Sequence, residues 1–258
     1  MNELRRFLLP LLFMALIFLT TSCFGNPSDA DEGDSYSHIR NPGTSANDFL
    51  SGENFTNLVI EIDYMGENAP NERALDSLQV FLEQRLNKTS VSILDPTEIP
   101  AGEQSTYTAN EIRDLEQEHR NEFTEGETLA AYIIIVDGRF EQINVLGIAY
   151  FNTSNAFFGP AYEDATSGFG APSRYRTEAT SFRHEFGHLF GLVGIPNSGT
   201  EMQTEHKDEE HGNHCDNESC IMYWALERPE LLDQFIGTEE LPKLDANCIN
   251  DLQANGGR

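Results

Sequence analysis

Residues His184, Glu185, Phe186, Gly187 and His188 spell HEFGH, two imidazoles four positions apart with a carboxylate beside the first. On an α-helix, residues so spaced lie one above the other on the same face. Both rings can then reach one metal ion while Glu185 projects next to them, the arrangement of a helical zinc site with its own base. A catalytic zinc takes three protein ligands and keeps a fourth position for water, so a third ligand has to come from outside the helix. Gly191 offers the way out, because a glycine can adopt a left-handed conformation, end the helix and turn the chain back. Beyond it, the stretch EHKDEEHGNHCDNESCIM carries three histidines able to serve, His206, His211 and His214, together with Cys215, Cys220 and Met222. The acidic run Asp208, Glu209 and Glu210 would suit a second, calcium-like site. The plainer alternative is an acidic surface loop with incidental histidines, and for His206 and His211 that is the expectation.

HExxHxxG followed by HCxxxxCxM resembles the metzincin zinc peptidases, and among them the archaemetzincins. The resemblance covers His184 to Met222 and only weakly the chain around it. It implies that His184, His188 and His214 bind zinc, that Glu185 is the general base, and that Met222 is the methionine of a turn beneath the metal. It implies too an α+β, metzincin-like single catalytic domain: a twisted mixed β-sheet with an antiparallel edge strand, an active-site helix and a smaller irregular C-terminal subdomain. One departure matters: the family places its third histidine three positions after the glycine, where this chain has Gly194. The resemblance therefore requires an insertion of about twenty residues ahead of His214. Archaemetzincins also use four cysteines for a second, structural zinc. Here Cys248 is followed by Ile249, Asn250 and Asp251, so the fourth thiolate is missing. Asp251 could substitute for it; alternatively Cys215, Cys220 and Cys248 supply a disulfide, which suits an oxidising compartment better. Some metzincins carry a tyrosine two residues after the methionine, but this chain has Trp224 there, and no role is assigned to it.

The activity so implied is that of a zinc endopeptidase. Water on the metal would have its pKa lowered from 15.7 to ~7, with Glu185 taking its proton as it attacks a peptide carbonyl. No cysteine lies between Cys23 and Cys215, so a thiolate latch is unavailable and activity without proteolytic maturation is expected. Two non-enzymatic classes compete: a zinc-binding surface module without turnover, and a calcium-binding adhesin in which HEFGH is accidental. Glu185 argues against both, since a purely structural zinc site closes its fourth position and has no use for a base.

The elements that must position these groups can be traced upstream. Asn57 to Met65 alternates with β-branched residues and reads as a strand, and Asn71 to Leu86 has the period of an amphipathic helix. A short strand at Val91 to Leu94 and a charged helix from about Ala109 to Asn121 follow. Leu129 to Val136, LAAYIIIV, reads as a strand buried on both faces. Val145 to Phe151 is a further strand, either an ordinary core strand or, as the resemblance implies, the sheet edge against which an extended substrate would pair. Asn152 to Ser173 reads as a loop in which Phe157 or Phe158 could wall a substrate pocket. The motif helix is expected to start near Thr177, to bury Phe182, Phe186, Leu189 and Phe190, and to end at Gly191.

At the other end, Arg5 and Arg6 precede an apolar run from Phe7 to Leu19 that is interrupted by Pro10 and too short to span a bilayer. Residues 1–22 read as an export signal. LTTSC resembles a bacterial lipoprotein signal, which implies acylation of Cys23 and a membrane-anchored protein of the outer membrane, facing the periplasm or the surface. Residues 23–52, with Asp29, Asp31, Glu32 and Asp34, read as an acidic flexible tether, and residues 53–258 as the catalytic domain. Removing residues 1–22 takes away two of the 16 basic and one of the 43 acidic groups, which leaves a net charge of −28. Such a surface excludes nucleic acid and is repelled by anionic headgroups, so acyl chains are the expected means of membrane attachment. A peptide or protein substrate and a monomeric state complete the expectations.

Overall fold

The strand expected at Leu129 to Val136 is the centre of the sheet. The computed structural model describes residues 36–235 and 240–258, so the expected export signal and Cys23 lie outside the described residues. The chain runs through α1 (Ala46–Leu50), β1 (Asn57–Met65), α2 (Glu72–Arg85), β2 (Ser90–Ile93), β3 (Thr97–Ile99), β4 (Thr106–Tyr107), α3 (Ala109–His119) and β5 (Thr128–Val136). Next come β6 (Arg139–Phe140), β7 (Gly147–Phe151), β8 (Ser154–Phe158), α4 (Gly159–Thr166) and α5 (Arg174–Leu189). After α5 the described elements are short: a 3-10 turn at Trp224–Glu227, α6 (Leu232–Phe235) and α7 (Ala246–Ala254).

The main sheet has the order β2-β1-β5-β8-β7, with β3 also pairing β1, and every pairing is parallel except β7 with β8. β5 has parallel neighbours on both sides, which is why Leu129 to Val136 is an unbroken apolar run with no exposed residue. The edge position falls to β7, as the resemblance implied. The fold is thus a mixed α/β one with a mostly parallel sheet and an antiparallel edge.

Local chemistry explains the helices. The Asn71 side chain caps α2 by accepting from Arg73 N, and Thr108 with Glu111 forms a capping box on α3. Past the end of α3, Arg120 and Glu116 form a fully buried ion pair at 2.6 Å. Arg120 also donates to Ala130 O at 3.0 Å, and Glu116 accepts from Ser154 Oγ at 2.7 Å, so the pair fixes α3 against β5 and β8. A buried charge is tolerable only when so satisfied.

Three expectations change. The motif helix begins at Arg174, not near Thr177, because Ser173 caps it by accepting from Arg176 N. The span 152–173 is not one loop but holds β8 and α4. SNAFF lacks the β-branched residues that mark a strand, and Gly159-Pro160 opens a helix by placing proline in its first turn. Phe157 and Phe158 are accordingly core residues, Phe157 lying 4.7 Å from the Phe182 ring in an edge-on contact, and neither lines the cleft below. Finally, residues 36–52 belong to the compact unit 36–258 rather than to a tether. Phe49 and Leu50 of α1 are fully buried, with Phe49 against Phe186 and Phe190 of the motif helix.

Candidate metal centre

Helix α5 presents His184 and His188 on one face, 4.9 Å apart between ring centroids, both buried. The opposite face buries Phe182, Phe186 and Leu189 in the core. Gly187 is constrained by what lies beneath it: a Cβ there would meet Met222 Sδ at 2.2 Å, so only glycine lets that methionine pack directly under the helix. The helix ends at Leu189, and Gly191 at φ +69° turns the chain away. Val193 and Gly194 also have positive φ, which continues the turn.

The insertion then returns. Lys207 and Cys215 form an antiparallel bridge, Asp208 N donates to His214 O at 2.8 Å, and Cys215 N donates to Met222 O at 2.8 Å. Because loop-closure entropy grows only as the logarithm of length, an excursion of this size is a modest cost once its ends are pinned. His214 emerges from the closed end, its ring centroid 5.3 Å from that of His184 and 5.2 Å from that of His188. Three imidazoles bound tetrahedrally through 2.0–2.1 Å bonds would have centroids about 5.2 Å apart. The spacing and the donor chemistry therefore fit a zinc ion. His184 Nδ1 is tied to Ile221 O at 2.6 Å and His214 Nδ1 to His211 O at 2.7 Å, which turns both Nε2 atoms inward. Of the three histidines in the insertion, the structure brings His214 to the pair. His211 stacks on Trp224 at 3.9 Å, supporting His214 through its carbonyl, so Trp224 has a packing role here.

Glu185 is fully buried beside His184, and its Oε2 has no hydrogen-bond partner. Burial, reinforced by the negative charge of Glu227, holds its carboxyl well above the usual range, with Ala149 N–H of β7 opposing the shift. Burial pushes His188 down to about 4, so its ring is neutral and able to ligate at neutral pH. Glu227, which no spacing in the sequence singled out, is the fourth member of the cluster: its ligand atom and those of the three histidines all lie within 4.8 Å of one another. Despite burial, the three histidines keep its carboxylate well below the usual range. A cleft of ≈ 430 Å³ opens in front of these groups, bordered by Ile148 and Ala149 of β7, by Glu185, His188 and Glu227, and by Asn41 of the N-terminal segment.

A second cluster lies behind the first. His206, Cys215, Asp245 and Cys248 place their ligand atoms within 4.8 Å of one another, and Cys220 Sγ is 3.6 Å from Cys248 Sγ. The three cysteines are free thiols rather than a disulfide. Cys220 is lowered to about 4 by hydrogen bonds from Cys215 and Cys248, and it also accepts the N–H groups of Asp245 and Met222. His206, expected to be an incidental surface residue, is buried with Nδ1 3.4 Å from Cys215 Sγ. Asp251 does not stand in for the missing thiolate in that group; its Oδ2 instead lies 2.8 Å from His206 Nε2 and orients the ring. The calcium-like site is not formed. Asp208 accepts from Glu210 N and the His211 ring, Glu209 and Glu210 are exposed, and among the described residues the three gather into no ligand group.

The site is thus two helix histidines and one loop histidine beside the antiparallel edge of a mostly parallel sheet. No family model matches the sequence, and no curated protein matches it. Among solved structures it is similar to an archaemetzincin from Methanopyrus kandleri, with a TM-score of 0.51 and 15% identity over 79% of this chain and 96% of that one. The metalloproteinase-II from Bacteroides fragilis is matched at a TM-score of 0.43 and 14% identity, over 87% of this chain and 58% of that one.

Proposed function

We propose that the chain is a zinc-dependent endopeptidase acting on peptides or proteins, with His184, His188 and His214 as metal ligands, Glu185 as general base and Met222 as the packed floor of the site. The observation that carries this reading is three imidazoles at tetrahedral spacing with an unpartnered buried carboxylate oxygen alongside. Zinc held there would supply a Lewis acid that acidifies water and polarises a carbonyl. Glu185 would take the proton of the attacking water and pass it to the leaving amine; its raised proton affinity suits the second half of that task. The free edge of β7, at Ile148 and Ala149 on the cleft wall, would hold an extended peptide by main-chain hydrogen bonds.

A second ion fits the cysteine cluster, held by Cys215, Cys248 and His206 with Cys220 or Asp245 completing the set. Tetrahedral sites of this type have ligand-to-ligand edges of about 3.4–3.8 Å, and the observed separations are 3.4 and 3.6 Å. The proposal also includes the sequence reading of residues 1–22 and Cys23 as a lipoprotein signal and anchor.

Metal analysis of the purified protein together with peptide-library cleavage tests the assignment on wild type, Glu185→Gln and His214→Ala. Glu185→Gln should keep zinc and lose ~10²–10⁴ in kcat, while His214→Ala should lose both. One observation favours a zinc-binding module without turnover: the Glu227 carboxylate approaches all three ligand nitrogens. Zinc bound without Glu185-dependent cleavage would select that reading.

A further inference from the structure

Glu227 Oε1 lies 3.1 Å from His184 Nε2, 3.3 Å from His188 Nε2 and 2.9 Å from His214 Nε2. With zinc bonds of 2.0–2.1 Å, neighbouring corners of a tetrahedron stand about 3.3 Å apart, whereas an atom at the centre would be about 2 Å from each corner. The three distances, those to His184 and His188 being hydrogen-bond contacts, match such edges and put Oε1 where a fourth ligand would stand. His214 Nε2 adds an independent sign: it is buried, 2.9 Å from that oxygen, yet has no aligned hydrogen bond. A neutral His214 ring whose Nδ1–H donates to His211 O would present its Nε2 lone pair, not a donor, toward Oε1.

We propose that Glu227 is a fourth protein ligand, an internal carboxylate that closes the position a hydrolytic water needs and leaves when substrate enters the cleft. The proposal rests on the reading of the three histidines as metal ligands. The rest of the residue suits such an exchange. Its backbone is anchored, Leu146 N donating to Glu227 O at 2.9 Å just ahead of β7. Its side chain faces the ≈ 430 Å³ cleft, which gives the carboxylate somewhere to go by rotation alone. A peptide pairing with β7 would enter that same space, so substrate and Glu227 compete for it. The closed resting state this implies needs no proteolytic maturation, since the latch is a residue of the site rather than a removable segment.

The test uses the full protein loaded with Co²⁺ in place of zinc, as wild type, Glu227→Gln and Glu227→Ala, with His188→Ala as control. The readouts are the visible Co²⁺ spectrum, its change on adding acetohydroxamate, and zinc affinity by chelator competition. In wild type the spectrum should be insensitive to pH and the hydroxamate should bind weakly. In Glu227→Ala an ionising water should enter the spectrum, hydroxamate binding should tighten at least about tenfold, and zinc affinity should fall by about 10–100-fold. Glu227→Gln, which keeps the shape, separates loss of ligation from misfolding and should follow Glu227→Ala in hydroxamate binding. Identical spectra, hydroxamate binding and zinc affinity in wild type and both variants would overturn the proposal while leaving the three-histidine site standing, provided that His188→Ala loses metal. Equal metal binding by His188→Ala would overturn the three-histidine reading and this proposal with it.

Discussion

Two of the converging imidazoles come from one helix face, the third from a segment with hardly any regular structure, and the two sides are held by different physics. His184 and His188 are set by helical periodicity, and the scaffold beneath them is apolar: Phe182, Phe186 and Leu189 are buried, with Phe49 packed on from α1. His214, Met222 and Glu227 sit on a chain of turns from Gly191 to Glu227 pinned by single hydrogen bonds, one aromatic stack and the His206 and cysteine cluster. The helix side should therefore be rigid without metal. The loop side needs its cross-links to keep His214 and Glu227 within reach of the helix histidines and Met222 packed beneath them.

The contrast can be broken at its cross-links. His206→Ala removes a buried group that does not line the cleft, yet it should weaken metal binding at the His184, His188 and His214 site by about tenfold, as loss of an orienting partner does. Chelator competition measures this, and unchanged affinity would mean that the loop holds His214 without the second cluster. Metal removal sharpens the same point: hydrogen exchange should rise severalfold across residues 200–227 and stay unchanged in β5 and α5. Gly187→Ala probes the contact between the two sides, since the added methyl meets Met222 Sδ. It should cost about 1–3 kcal/mol, read as a lowered Tm. The smallest effect lies in the scaffold. Lys88 donates to Asp48 O, Ser51 O and Phe55 O, and burial, outweighing the Asp48 charge, pushes its pKa down from 10.5 to about 8. Between those values the unfolded chain binds more protons than the folded one, so stability should rise with pH across that window. Thermal melts from pH 7.5 to 10.5 should show this rise in wild type and lack it in Lys88→Met.

The same division sets what was legible in the sequence. β1 and α2 could be read from period and composition, and so could the spacing of His184 and His188, because each depends on neighbours in sequence. The return of His214 could be reached only through the HCxxxxCxM context shared with a family. Glu227 carried no signal: it ends a four-residue 3-10 turn, WALE, and nothing in that stretch marks an acid aimed inward. His206 was undervalued because its surroundings, EHKDEE, are the composition of a solvated loop; its burial comes from Cys215 and Asp251, 9 and 45 residues away. β8 and α4 escaped because the burial of SNAFF is imposed by strands on either side, not by its own residues.

Residues 36–50 show how far composition can mislead about where a folded unit starts. A form trimmed at Glu53 to discard a leader that composition marks as unstructured would strip Phe49 off the back of the motif helix and Leu50 out of the core. That would remove about 3–6 kcal/mol of apolar contact and leave Lys88 short of two of its three acceptors. Loss of metal binding or insolubility in that shortened protein would then report on the cut rather than on the site, and trimming should stop ahead of Tyr36.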